Sequence, residues 1–354
     1  MNYKLNYIKM IIFSGSASLV IAKKVAKHKN QPLGEIEVKK FPDSEIYVRI
    51  ISCVKDKNCV VIQSCKTNED IIELLIILDA LNDLGAKHIT TVIPYIAYAR
   101  QDKRFKSGEA MSAKTILKLI NNSSDRIINV NCHFLNEQGT FNVAEHFNAT
   151  SEFYKKNMKS DDFSKISDGN FDKISRFFEK KSYYFDDIGF NEKLKVKGSK
   201  DTELFIENLD AFTAVAKYFE NELDNKNLVV IAPDKGALNN AKRAAGVIGC
   251  EFDYLDKTRI SGNKVIIKPP KNLDIRNKDV LILDDMISTG GTIAESAKIL
   301  KSCGAKTITV GCVHGVFSEG IKMFEGVVDG LVCSNTLETG VSKVDVSGII
   351  ADRI

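Results

Sequence analysis

The chain has 354 residues, 44% of them hydrophobic, which is enough for two domains of ordinary size with sizeable cores. Its 50 basic and 46 acidic residues leave a net charge of only +4, which argues against a nucleic-acid-binding protein. Eight cysteines lack C-x-x-C spacing and lie mostly in apolar runs, so we expect buried free thiols in a reducing cytoplasm rather than zinc. No apolar run reaches membrane-spanning length, so a cytoplasmic protein without membrane partners is expected.

Short β-branched runs alternate with helical periods along most of the chain, which predicts parallel sheets covered by helices on both faces. We predict an N-terminal extension at 1–9, an α/β domain at 10–145 and a second at 203–354, whose last residues could pack on the first. Between them, 150–202 has weak apolar periodicity and reads as an insertion, partly helical or mobile. The predicted strands are 10–13, 59–63, 89–93, 126–131, 228–232, 280–283 and 307–313, and the predicted helices include 70–84, 112–121, 211–222 and 293–303.

Several polar segments follow predicted strands in the first half. The turn FPDSE, beginning at Phe41, precedes an alternating strand and by itself indicates only an ordinary hairpin. After strand 89–93, Arg100 can bind a phosphate through two hydrogen bonds and Gln101 can pair with a purine edge or a ribose, unless this is merely a solvated basic loop. His133 ends another strand, where ligands bind in open α/β sheets. It could be a metal ligand or a phosphate partner, although a lone histidine is more often structural.

The second half repeats the arrangement of a strand followed by a polar turn. Asp234 follows strand 228–232 and can hold magnesium through oxygen, and Gly236 permits the close backbone approach that a pyrophosphate needs. Lys257 and Arg259 alternate, so on an extended segment both would point the same way and could meet a charged transition state. Taken alone, this basic segment would be a solvated turn.

The most informative segment is VLILDDMISTGGT at 280–292. An apolar strand runs into Asp284 and Asp285, whose carboxylates can accept hydrogen bonds from the vicinal hydroxyls of a ribose. The following loop combines hydroxyls, glycines and a helix start, which suits a phosphate. The alternative is a buried strand that ends in a solvated acidic turn. The candidate phosphate-binding residues are Ser288, Thr289, Gly290, Gly291 and Thr292.

This segment resembles the phosphoribosyl pyrophosphate (PRPP) loop of phosphoribosyltransferases and ribose-phosphate pyrophosphokinases. Together with FPDSEIYVRI, YARQD and KTRIS, it makes nearly the whole chain, apart from 1–9 and 150–202, resemble ribose-phosphate pyrophosphokinase (PRPP synthetase) of the archaeal type. The resemblance implies an α/β fold of two phosphoribosyltransferase-like domains, each a mostly parallel sheet flanked by helices. It also implies transfer of the β,γ-diphosphoryl group of ATP to the anomeric hydroxyl of ribose 5-phosphate, giving PRPP and AMP for nucleotide biosynthesis.

The same resemblance implies a role for each matching residue. Lys257 and Arg259 would be catalytic, and Arg259 would also contact ribose 5-phosphate. Mg²⁺ would be held by His133 and Asp234. The N-terminal domain would bind ATP, with its hairpin turn reaching a neighbouring subunit of a homodimer or higher homo-oligomer. The implied ATP-binding residues are Phe41, Asp43, Ser44, Glu45, Arg100 and Gln101, and those for ribose 5-phosphate are Asp284, Asp285, Ser288, Thr289, Gly290, Gly291 and Thr292.

Two alternative functions are disfavoured. A phosphoribosyltransferase that consumes PRPP would lack the YARQD loop, which is present here. A non-catalytic regulatory PRPP synthetase-associated subunit should have lost Lys257, Arg259 or the aspartate pair, and all of these are intact.

Two positions depart from the family pattern. Ser44 stands where glycine is usual, so the turn is expected to differ slightly. Asn131 stands where aspartate is usual, which either weakens magnesium affinity or indicates a position outside the direct ligand shell.

Overall fold

The computed structural model describes residues 10–104, 106, 108–135, 137–157, 203–261, 264–268 and 273–354, with side chains omitted at 152–157, 225 and 257–268. The predicted extension at 1–9 and residues 158–202 of the predicted insertion lie outside the described residues. Every cysteine is described, and all eight are free; most are buried, whereas Cys53 is exposed. Among the described helices, none has both the length and the apolar character needed to cross a bilayer.

The first sheet has the strand order β1-β4-β5-β6-β8-β7 and is parallel except for the β7–β8 pair. Strands β2 and β3 form a separate antiparallel hairpin. The elements are β1 (Met10–Ser14), α1 (Leu19–Lys29), β2 (Ile36–Lys40), β3 (Ile46–Ile50), β4 (Asn58–Ile62), α2 (Asn68–Asp83), β5 (His88–Ile93), α3 (Ser112–Ser123), β6 (Arg126–Val130), β7 (Gly139–Asn142), α4 (Val143–Asn157) and β8 (Phe205–Leu209).

The second sheet has the order β10-β9-β13-β14-β15-β16 and all its pairs are parallel. Strands β11 and β12 form an antiparallel hairpin outside it. The elements are α5 (Phe212–Glu222), β9 (Leu228–Ala232), α6 (Leu238–Ile248), β10 (Glu251–Tyr254), β11 (Asp256–Ser261), β12 (Lys264–Lys268), β13 (Asp279–Ile287), α7 (Gly291–Ser302), β14 (Thr307–Gly315), β15 (Gly330–Ser334), β16 (Ser342–Val344) and α8 (Ser347–Ala351).

The apolar strands are buried on both faces, as expected for parallel sheets between helices. In β1, Ile12 packs into one hydrophobic core, and the adjacent Phe13 packs into another on the opposite face. Helix α2 begins at a capping box, in which the Thr67 hydroxyl accepts from the backbone N–H of Asp70 and the Asp70 carboxylate accepts from that of Thr67. These features confirm the predicted α/β class.

Strand β8 lies within the range predicted for the second domain, yet it pairs with β6 in the first sheet. We therefore propose that the domains divide after Leu209. The end of the chain returns to the first domain, where Ile350 joins the core that contains Ile21 of α1. In addition, Arg353 contacts the buried carboxylate of Glu207, which is on β8. The last residues therefore tie the two domains together.

Candidate active site

A cleft of about 720 Å³ lies between the two domains, where strands of both sheets end. The first domain contributes the loop after β5 and the turn after β6. The second contributes the turn after β9 and the segment from the end of β13 to α7. The polar residues lining it are Arg100, Lys103, His133, Asp234, Asn240, Asp284, Asp285, Ser288, Thr289 and Thr292.

The loop between β13 and α7 requires glycine at position 290. Gly290 has a φ of 92°, which L side chains rarely adopt. A Cβ there would also lie 2.7 Å from Cζ of Phe324 and 2.9 Å from Sδ of Met323. Helix α7 then starts at Gly291 without a side-chain cap and without an acidic residue in its first turn. Its N-terminus therefore offers backbone N–H groups and a positive dipole end to an anion.

The two aspartates lie next to this loop, within β13. The strand continues past both of them to Ile287 because β14 pairs with it as far as Gly315. Burial raises the pKa of Asp284 well above its ordinary value, and the charge of Asp285 adds to this effect. Burial would also raise the pKa of Asp285, but the hydrogen bond and charge of His133 outweigh it, and the net shift is downward. Asp285 is therefore the more readily ionised member of the pair.

His133 and Asp285 connect the two domains across the cleft, with 2.9 Å between Nδ1 and Oδ2. Burial lowers the pKa of His133, but the hydrogen bond and charge of Asp285 more than compensate, so that this pKa is raised above 6.5. Because the carboxylate accepts from Nδ1–H, the other ring nitrogen remains to serve a ligand. When protonated it can donate to a phosphate oxygen, and when neutral it can bind a metal.

Asp234, the other predicted magnesium ligand, lines the cleft from the second domain. It is half-buried, and its Oδ1 accepts from the backbone N–H groups of Gly236 (2.9 Å) and Ala237 (3.3 Å). Among the described residues, no group of three or more His, Cys, Asp and Glu side chains converges on a metal-sized site. A magnesium ion held here would need oxygen ligands from substrate phosphates and water, which is its usual preference.

The structure shows a left-handed backbone at both positions that depart from the family pattern. Ser44 has a φ of 76°, a conformation that glycine adopts without cost. Asn131 has a φ of 43°, and asparagine tolerates this left-handed region better than most residues. Its Oδ1 accepts from the backbone N–H of Ala211 at 2.6 Å. The Asn131 amide thus fastens the turn after β6 to the start of α5.

Some predicted residues do not line the cleft of the single chain. The exposed hairpin turn lies elsewhere, with Ser44 and Glu45 beside α2. Gln101 is also absent from the lining, and its Nε2 contacts Oε2 of Glu109 at 3.4 Å. Lys257 and Arg259 are on β11, paired with Ile267 and Val265, and their side chains are outside the described atoms. The predicted residues with described side chains that do not line the cleft are Phe41, Asp43, Ser44, Glu45, Gln101 and Gly291.

Sequence reasoning missed His314, which lies next to the cleft, near Tyr95 and Met286. Its ring centroid is 5.1 Å from that of Tyr95. The signal for His314 was available, since it follows the predicted strand 307–313 just as His133 follows 126–131. Tyr95 and Met286 had no such signal, because their neighbourhood depends on how the two domains meet.

Comparisons with known proteins point to the same family over nearly the whole chain. Residues 10–123 match the family model of the N-terminal domain of ribose phosphate pyrophosphokinase, and 206–335 match that of the phosphoribosyl transferase domain. The chain is 34% identical to ribose-phosphate pyrophosphokinase 2 of Archaeoglobus fulgidus, covering 98% of this chain and 100% of that one. It is also 34% identical to ribose-phosphate pyrophosphokinase of Methanothermobacter thermautotrophicus, covering 97% and 99%.

The fold is similar to the crystal structure of phosphoribosylpyrophosphate synthetase from Mycobacterium smegmatis. The TM-score is 0.68, with 24% sequence identity and 97% of both chains covered. This similarity confirms the two-domain architecture.

Proposed function

The chain belongs to the ribose-phosphate pyrophosphokinase family, and we propose that its interdomain cleft carries out the reaction of that family. The enzyme transfers the β,γ-diphosphoryl group of ATP to the anomeric hydroxyl of ribose 5-phosphate, giving PRPP and AMP. The alternative of a PRPP-consuming phosphoribosyltransferase does not explain the matching N-terminal domain of the kinase family. A non-catalytic relative is disfavoured because Lys257, Arg259, Asp284 and Asp285 are all present.

The observation that carries the assignment of the site is the shared cleft. It joins Arg100 and His133 of the first domain to Asp284, Asp285 and the loop at 288–292 of the second. Ribose 5-phosphate would place its phosphate against the N–H groups and hydroxyls of that loop. Its vicinal hydroxyls would donate to the aspartate pair, chiefly to the ionised Asp285.

ATP would approach from the side of the first domain. The exposed Arg100 has a planar guanidinium suited to a phosphate, and Gln101 belongs to the same loop. The hairpin turn from Phe41 to Glu45 is exposed and separate from the cleft, which supports its service to a neighbouring subunit. We therefore expect a homodimer or higher homo-oligomer.

Magnesium fits the donors at this site. The Asp234 carboxylate is a suitable oxygen ligand, and His133 lines the same cleft. The ion would neutralise phosphate charge when bound with ATP. The raised pKa of His133 equally suits a direct hydrogen bond to a phosphate oxygen.

The chemistry requires positioning and charge stabilisation more than covalent help. A bond forms between the anomeric oxygen and the β-phosphorus, the proton of the anomeric hydroxyl passes to solvent, and the bond from the β-phosphorus to the oxygen bridging the α- and β-phosphates breaks. Negative charge shifts to that bridging oxygen, which leaves with AMP. Lys257 and Arg259 would stabilise this charge and that of the β-phosphate oxygens.

Purified protein with ATP, Mg²⁺ and ribose 5-phosphate should form AMP and PRPP in equal amounts. Lys257→Ala should lower turnover by about 10²–10³-fold, as expected for losing a strong electrostatic donor. Lys264→Ala, on the partner strand of the same hairpin, is the control and should stay near wild-type turnover. Absence of PRPP with the wild-type protein would refute the proposed function, and normal turnover in Lys257→Ala would remove that residue from the mechanism.

A further inference from the structure

His314 is buried where the two domains meet, with 4% of its surface exposed. It lies near the end of β14, directly beside Met286 of β13 in the strand register. It bridges the domains, because its Nε2 lies 3.2 Å from the backbone oxygen of Asn131 and its Nδ1 lies 2.9 Å from Oγ1 of Thr336. The function proposed above uses neither His314 nor Thr336.

The tautomer of His314 follows from these partners. The backbone oxygen of Asn131 can only accept, so Nε2 must carry the hydrogen. Burial lowers the pKa of His314 to about 4, so the ring is neutral at ordinary pH and Nδ1 is an acceptor. The hydroxyl of Thr336 is then the donor to Nδ1. Its other acceptor within reach, the backbone oxygen of Val313 at 3.1 Å, also lies 2.7 Å from the hydroxyl of Ser334, which can donate to it instead.

The turn held by His314 is the one that carries His133. Asn131 is fastened from two sides, by the N–H of Ala211 at its side-chain oxygen and by His314 at its backbone oxygen. Two residues later, His133 crosses the cleft to Asp285, which neighbours Met286 on β13. His314 therefore spans the same gap as the His133–Asp285 pair, one strand further into the interior.

Other interdomain hydrogen bonds lie nearby but do not reach this turn. Oγ of Ser64 donates to the backbone oxygen of Thr336 at 2.5 Å, and Nζ of Lys66 donates to that of Val316 at 2.8 Å. Both come from the segment after β4. They hold the domains together without contacting residues 131–133. Mutations can therefore separate the loss of an interdomain hydrogen bond from the loss of support for this turn.

We propose that His314, whose ring is anchored at Nδ1 by Thr336 and at Nε2–H by the Asn131 oxygen, is a positioning residue that keeps the turn at 131–133 against β13, so that His133 meets Asp285. This inference rests on the proposed function, in which that turn serves the ATP side of the cleft. Without the Thr336 hydroxyl, Nδ1 would lose its partner and the ring would lose the anchor that directs Nε2–H at the oxygen of Asn131. The hydrogen bond to Asn131 would weaken, and the turn would lose its inner support.

The test compares Thr336→Val, which keeps the shape of the side chain but removes its hydroxyl, with Thr336→Ser, which keeps the hydroxyl. In ¹⁵N-histidine NMR spectra, wild-type His314 should be an Nε2–H tautomer whose Nε2–H proton exchanges slowly with solvent, and this proton should exchange faster in Thr336→Val. Calorimetric titration with ATP, with and without Mg²⁺, should give about tenfold weaker binding for Thr336→Val, equivalent to about 1.4 kcal/mol. The affinity for ribose 5-phosphate, measured in the same way, should change by less than about twofold. Thr336→Ser should restore both the slow exchange of the Nε2–H proton and the affinity.

Ser64→Ala is the matched control, because it removes an interdomain hydrogen bond to Thr336 without touching His314. It should leave ATP binding unchanged. Wild-type affinity in Thr336→Val, or equal weakening in Ser64→Ala, would overturn the role of His314. If Thr336→Val does not fold, His314→Gln, whose amide can still donate to Asn131, should bind ATP better than His314→Leu, and equal binding would overturn the inference. Failure of the wild-type protein to bind ATP would count instead against the proposed function.

Discussion

Replacing Gly290 by alanine tests whether the loop at 288–292 depends on its backbone conformation and on its packing. At a φ of 92° an alanine costs about 1–2 kcal/mol. Its Cβ would also press on Phe324, a core residue only 3% exposed, and such overpacking costs about 1–3 kcal/mol. We therefore expect Gly290→Ala to lower the free energy of unfolding by roughly 2–5 kcal/mol, or to displace the loop.

Gly320→Ala separates the two contributions. Gly320 has a similar φ of 78°, but its added Cβ would meet no atom within 4 Å, so only the conformational cost of about 1–2 kcal/mol should appear. Urea denaturation measures both variants, and titration with ribose 5-phosphate detects a displaced loop as weaker binding in Gly290→Ala. Equal stability losses in the two variants, with unchanged ribose 5-phosphate affinity in Gly290→Ala, would refute the packing argument.

Three further perturbations test other contacts. Asp285 raises the pKa of His133 above 6.5. The ion pair therefore stabilises the fold fully below pH 6.5, as long as Asp285 is ionised. This stabilisation is lost as the pH rises through the raised pKa. His133→Gln should therefore lower the unfolding free energy more near pH 6 than near pH 8, by less than about 1 kcal/mol because the pair is partly exposed; equal losses at both pH values would contradict this. Ser44→Gly should raise the unfolding free energy by up to about 1 kcal/mol, since it relieves a left-handed φ but adds chain entropy; a urea midpoint lower than that of the wild type would count against it. Arg353→Gln should lower the free energy of unfolding by about 1–3 kcal/mol, because it removes one of the charged partners of the buried Glu207. An unchanged melting temperature would show that the C-terminal contact contributes nothing to stability.

Much of the local structure followed from the sequence pattern. The predicted helix 70–84 is observed as Asn68–Asp83, and the predicted strand 228–232 as Leu228–Ala232. Such elements depend on apolar periodicity and on caps, which involve neighbours in the chain. The boundary of β13 was less accurate, because it extends to Ile287 through pairing with β14, a partner more than twenty residues away. The two sheets and the family were confirmed, whereas the roles of the individual site residues stay predictions.

The sequence by its pattern was enough to predict the α/β class, the family and the chemical groups of the loop at 288–292, because runs of apolar residues, paired carboxylates and glycines act through short-range geometry. Three contacts become visible only in the folded chain: His133 meets Asp285 from 152 positions away, β8 completes the first sheet, and Arg353 returns to Glu207. Each of them depends on how segments far apart in the chain, or the two domains, pack together. Hydrophobic burial drives that packing without regard to distance along the chain.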